Sequence, residues 1–260
     1  MKRRPIWRGA ERLLPWFVPS LLLVGWQLAS HWGYLPARIL PAPTAVIGAA
    51  IRLSKSGELF EHIRISTFRA ALGFLIGGSI GLALGVASGT FLLAEHLLDS
   101  SLQMIRNIPH LALLPLVILW FGIDESAKIV LVVLGVFFPI YINTFYGIRN
   151  TDPHLLEMAR VYGLKGFALF RHVILPGALP SIMVGVRYSL GITWLTLIVA
   201  ETIATTSGIG YLAMNAREFM QTDVVVLAIL LYALLGKLSD SATRMLERKL
   251  LDWHPAYRAA

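Results

Sequence analysis

The chain contains no cysteine, which excludes a disulfide framework, a thiolate nucleophile and any cysteine-based metal site. Charge is scarce as well: 15% of the 260 residues are Asp, Glu, Lys or Arg, against a hydrophobic share of 56%. With a mean hydropathy of +0.67, that balance is too apolar for an ordinary soluble domain and places the chain in a bilayer. There is no G-x-x-x-x-G-K-[ST] loop to cradle nucleotide phosphates and no H-E-x-x-H helix for a membrane metalloprotease. The seven histidines share no helical face at ligand spacing, so no metal, cofactor or catalytic residue is expected. The formal net charge of +8 suggests nucleic acid only until the basic residues are located. They are scattered among apolar runs rather than gathered on a soluble face, which suits membrane orientation and not nucleic-acid binding.

What the chain does have is long apolar runs. They predict an all-α, polytopic transmembrane bundle of about six spans in a single transmembrane domain, residues 1–260. The spans fall at about 13–32, 64–89, 97–121, 127–148, 177–202 and 223–241, each long enough to cross a hydrocarbon core of about 30 Å. MKRRPIWRGAER precedes the first span. Because Gln27 is too large for a cleavage signal ending at Ala29, an uncleaved first span with a cytoplasmic N-terminus is expected. Fourteen of the 23 basic residues then lie on the cytoplasmic side and seven outside, with Arg187 and Lys237 inside spans, giving an N-in, C-in orientation.

Within the spans, three features stand out. Gly73, Gly77, Gly81, Gly85 and Gly89 recur every four residues, which lines one face and lets a second helix backbone approach closely. The third span is expected to bend at Pro109, leaving Arg106, Asn107 and His110 at the bend. They either hydrogen-bond between helices or line a water-filled path, since lipid cannot accommodate them. Arg187 lies roughly 16 Å along the fifth span from Pro176, as the deepest formal charge, with Glu201 near the outer surface. Arg187 is open to two readings, a structural lock or a path-lining cation. Residues 203–222 read as an outer loop or re-entrant segment.

Between two apolar runs lies DPHLLEMARVYGLKGFALFRHVILPGALP, Asp152 to Pro180, the one sizeable late stretch suited to meeting water and a protein partner. Asp152 can cap a helix that opens on Pro153, and Gly163 suits the left-handed residue that ends it. A second short segment, Phe167 to Val173, leads to Leu175-Pro176, and Pro176 is expected to open the next helix. The order Glu157-Met158-Ala159, three residues, Gly163, nine residues, Val173, one residue, Leu175-Pro176 resembles the EAA loop of bacterial ABC importer membrane subunits. Met158 and Val173 depart from that pattern's alanine and isoleucine.

The resemblance sharpens over RNIPHLALLPLVILWFGIDESAKI (106–129), EMARVYGL (157–164, which includes Leu164), the run 172–202, and SGIGYLAMNAREFMQTDVVV (207–226). Together these look like the permease subunit of bacterial aliphatic-sulfonate ABC importers, neighbours of the taurine and nitrate permeases. The resemblance implies a MetI-like, type I importer fold in the bacterial inner membrane, with loop 149–176 docking on a cytoplasmic ATPase. It also implies two ATPase subunits, a second copy of the chain, a periplasmic sulfonate-binding protein and surrounding lipid as partners, with ATP hydrolysis left to the ATPase. The alternatives are a permease for a related anion such as taurine or nitrate and, behind it, a secondary transporter, which would need internal repeats and paired carboxylates for a coupling ion.

Overall fold

The structure is a computed structural model, and it describes residues 7–203 and 205–253. Among the described residues regular structure is helical: α1 (Trp7–His31), α2 (Pro43–Ser56), α3 (Glu58–Thr90), α4 (Leu92–Arg106), α5 (Leu114–Phe121), α6 (Glu125–Arg149), α7 (Pro153–Val161), α8 (Gly166–Thr202), α9 (Ile209–Glu218) and α10 (Thr222–Leu250). A 3₁₀ turn, His110–Leu113, precedes α5. Helices α3, α6, α8 and α10 are each long and apolar enough to cross a membrane, and the bent pair of α4 with His110–Phe121 makes a fifth if taken as one span. The expected first span lies in α1, and some of its side chains fall outside the described ones.

The chain divides into two compact units. One comprises residues up to His62 together with Leu212–Leu231. Here Pro43 opens α2 at a position where its missing N–H costs nothing, and Gly57, at φ +82°, turns α2 into α3. Gln27 hydrogen-bonds Thr44, Thr222 donates to the Ala37 carbonyl at 2.8 Å, and Arg52 pairs with Asp223 at 2.7 Å.

The other unit, Ile63–Tyr211 with the chain from Tyr232 onward, is built around α6. The glycine face of α3 lies directly on it. A Cβ on Gly77 would sit 2.7 Å from the Val133 carbonyl oxygen, one on Gly81 2.6 Å from that of Phe137, and one on Gly85 2.6 Å from Thr144 Cβ. Against its other side α8 packs as closely, with Gly147 meeting Ser181 and Gly185 meeting Asn143. Ser181 and Ser189 of α8 donate to the Asn143 and Val136 carbonyls at 2.8 and 3.2 Å. Small residues and hydroxyls thus supply the contact that apolar surface cannot supply in lipid.

Two sequence expectations need correction. The third span, expected over 97–121 with a bend at Pro109, does bend there, but as two helical pieces set at 82°, the first of which begins earlier, at Leu92. Pro109 has no N–H and forces extended backbone on the residue before it, so residues 107–109 leave the helix altogether. Pro176 does stand in the first turn of the α-helical stretch Leu175–Thr202, as expected, but that stretch continues a helix already begun. The proline thus lies inside α8, which starts at Gly166 and passes through a π-turn at Phe170–Ile174. The wider turn shifts the backbone pairing just before the proline, where one carbonyl would otherwise lose its donor. Residues 203–222 also hold a ten-residue helix, α9.

Candidate coupling surface, buried charge cluster and transport path

Helix α7 is closed at both ends by its own sequence. The Asp152 carboxylate accepts from the His154 N–H at 2.9 Å, and Gly163, at φ +83°, lets Gly163 and Leu164 donate back to Arg160 and Ala159 at 3.0 Å. One side is seated: Ala159 is buried, Leu164, Val173 and Pro176 are half-buried, and Leu175 packs on Ile148, Ala178 and Ile182. The other side is bare. Met158 is exposed beside Val161, 86% exposed, Tyr162, 80% exposed, and Phe167, with Glu157 among them. An apolar cluster left open this way on a stiff, capped helix marks an interaction surface. Where the loop begins, Arg149 is fixed by an ion pair with Glu95 and lies over the Phe145 ring.

A second constellation is buried. Arg69 is wholly inside the protein and grips Glu125 with two bonds, from Nε and Nη2, each at 2.5 Å. Its Nη1 donates to Glu201 at 2.7 Å and to the Ser207 carbonyl at 2.7 Å, and Nη2 also reaches Ser207 Oγ at 2.9 Å. Glu201, equally buried, accepts further from Ser66, from the Gly210 N–H at 3.0 Å and from the Tyr232 hydroxyl at 2.8 Å. Every strong donor and acceptor here has a partner, the condition under which buried charge is tolerable. The cluster ties α3, the start of α6, the end of α8, and residues 207–210 into one knot. Gly208 at φ +108°, where a Cβ would stand 2.5 Å from the Glu201 carboxyl, allows the segment to pass so close.

Arg69, one of the seven basic residues expected outside, has a role here that its place in that set did not announce. A signal was present: Arg69 stands four residues before Gly73 and so continues the face of the glycine ladder toward α6.

The residues proposed for a path do not converge. Arg106 and Asn107 are exposed at the break after α4, and His110 Nε2 lies 2.9 Å from Thr196 Oγ1. Arg187, 42% exposed, donates through Nε to Asp240 at 2.8 Å. It is therefore not the most enclosed charge, a place Arg69 takes. Arg187 and Glu201 lie on one helix, separated by roughly 20 Å of rise.

Close-packed, apolar helices of spanning length, interrupted by a capped helix with a bare apolar face, define a multi-pass membrane subunit. The family model for the binding-protein-dependent transport system inner membrane component matches residues 65–252, and the chain belongs to that family. Among relatives, it is 65% identical over 253 residues, 97% of this chain and 96% of the relative, to the putative aliphatic sulfonates transport permease protein SsuC of Escherichia coli (strain K12). The protein of the same description in Bacillus subtilis (strain 168) is 50% identical over 92% of this chain and 87% of its own. The taurine transport system permease protein TauC of E. coli is 34% identical over 90% of this chain and 87% of its own.

Among solved structures, an amino acid ABC transporter chain superposes with a TM-score of 0.64 at 17% identity, covering 77% of this chain and 97% of that one. An inward-facing form of the MetNI methionine ABC transporter gives 0.56 at 20% identity, covering 70% and 92%. The fold is that of ABC importer permeases, as the resemblance implied.

Proposed function

We propose that this chain is the permease subunit of an ABC importer that carries aliphatic sulfonates across the inner membrane. The observation that supports the substrate is the 65% identity, over nearly the full length of both chains, to a putative aliphatic-sulfonate permease, against 34% to a taurine permease. The bare face of α7 supports the division of labour, because an apolar surface presented by a chain without a phosphate-binding loop calls for a separate ATPase. On this reading loop 149–176 is the docking element of a subunit with both termini cytoplasmic. Two such chains, each on one ATPase, enclose the path, and a periplasmic binding protein delivers the anion.

Growth of a strain lacking the chain, with and without its return on a plasmid, on a panel of alkanesulfonates, taurine and sulfate as sole sulfur source tests the substrate. Restored growth on alkanesulfonates is expected. Restoration on taurine alone would sink the sulfonate reading and favour the taurine one.

A further inference from the structure

Between α8 and the later part of α10 lies an open groove of about 550 Å³. Its wall is mostly apolar, with Val184, Tyr188, Gly191 and Leu195 from α8 and Gly236 from α10. At one place it is strongly polar. Arg187 Nε is 2.8 Å from Asp240, Arg244 is 3.0 Å from the same carboxylate, and Lys237 is 3.8 Å away. The remaining charged group on the lining is Glu247. Three cations thus gather on the single carboxylate of Asp240, two of them from beside the groove rather than on its lining, and with Glu247 counted one positive charge is left over.

Asp240 takes only the Nε–H of Arg187, and among the described residues neither Nη group has a partner. These charges stand on helices whose neighbouring outward residues, Val184, Tyr188, Leu195, Leu234 and Leu238, are exposed and apolar. A cation set among such apolar surface on a spanning helix faces a counter-ion, water or a ligand, because lipid penalises it heavily.

We propose that this groove is a station for the cargo within the permease, seating the head of an alkanesulfonate on Arg187 and its alkyl chain along Val184, Gly191 and Leu195. The assignment rests on the sulfonate reading above. The match is chemical: one anion balances the surplus charge, the planar guanidinium offers two free N–H edges to sulfonate oxygens, and the apolar wall takes a tail. Asp240 keeps the site weak by competing for Arg187, which a path must do if its cargo is to leave. Gly191 sets the room for the tail, since a Cβ added there meets nothing within 4 Å.

The test uses the permease in complex with its ATPase subunits in phosphatidylcholine nanodiscs without binding protein, with radiolabelled methanesulfonate and octane-1-sulfonate as probes. Affinity is expected to rise about fourfold per methylene that the wall covers. Arg187→Met is expected to weaken both probes at least roughly tenfold, the loss of a charge-assisted hydrogen bond, with Arg187→Lys between. Gly191→Leu is expected to weaken octane-1-sulfonate about tenfold or more while sparing methanesulfonate, since only the tail loses its covered methylenes. Gly191→Leu keeps the test decisive even if Arg187→Met fails to assemble.

Equal binding of both probes in wild type, or unchanged chain-length dependence in Gly191→Leu, overturns the groove. So does displacement of octane-1-sulfonate by added phosphatidylglycerol, which would assign the site to lipid. Uptake into proteoliposomes with the binding protein separates the two readings: wild type that imports no alkanesulfonate sinks the functional reading itself, whereas normal import with flat variants sinks only the groove.

Discussion

Arg69 carries the sharpest stability prediction. Removing it leaves Glu201 fully buried with a charge and no counter-ion, a loss of about 3–5 kcal/mol when a buried pair is broken from one side. Arg69→Met is therefore expected to melt well below wild type in thermal denaturation of the purified complex. Arg69→Lys should recover little, because an ammonium cannot hold Glu125 by two parallel bonds while reaching Glu201 and Ser207. A wild-type melting curve for Arg69→Met would show that the cluster contributes nothing. At this scale the sequence was legible where chemistry is local. The Asp152 cap and the Gly163 turn depend on neighbours within a few residues. It was illegible where partners are distant: Arg187 and Asp240 are 53 residues apart, and Arg69 and Glu201 132, so nothing in the spacing announces either pair.

At the scale of elements, α7 and the α3 to α6 contact behave in opposite ways. Val161→Ser with Tyr162→Ser exchanges two exposed apolar side chains for polar ones and removes no buried contact, so insertion and folding should be unaffected. Co-purification with the ATPase is expected to fall by an order of magnitude or more, as for loss of interface anchors. Full recovery of the complex would show that the ATPase binds elsewhere. Gly81→Leu acts inside the molecule. A side chain there meets the Phe137 carbonyl at 2.6 Å, and backbone cannot yield as a flexible side chain would, so the folded yield should collapse. Monodisperse protein at wild-type yield on size exclusion would contradict the packing. The four-residue repeat made this contact legible, whereas the fate of the prolines was not. Pro109 breaks its helix and Pro176 does not, because a π-turn and the close packing against α6 support the second and nothing comparable supports the first.

For the whole molecule, the natural absence of cysteine makes orientation directly measurable. Lys165→Cys, beside the bare face of α7, is expected to react with an impermeant maleimide only from the cytoplasmic side, and Arg217→Cys, in α9, only from outside. The reverse pattern would invert the topology drawn from the basic residues. Hydropathy made the membrane class and most spans legible, but it carries no information on how a helix ends or continues. That is why α8 was read too short at its start. Its true extent has a mechanical meaning. Thirty-seven residues without a break make a shaft of roughly 55 Å. The π-turn at Phe170–Ile174 and the internal Pro180 both lie near its start, so beyond Pro180 neither a proline nor a π-turn offers a joint at which one end of the shaft can turn while the other stays still. A rotation imposed just beyond Pro180 therefore reaches the guanidinium of Arg187 and the knot at Glu201 together, and on the proposed reading the groove cannot be set independently of an ATPase docked on α7.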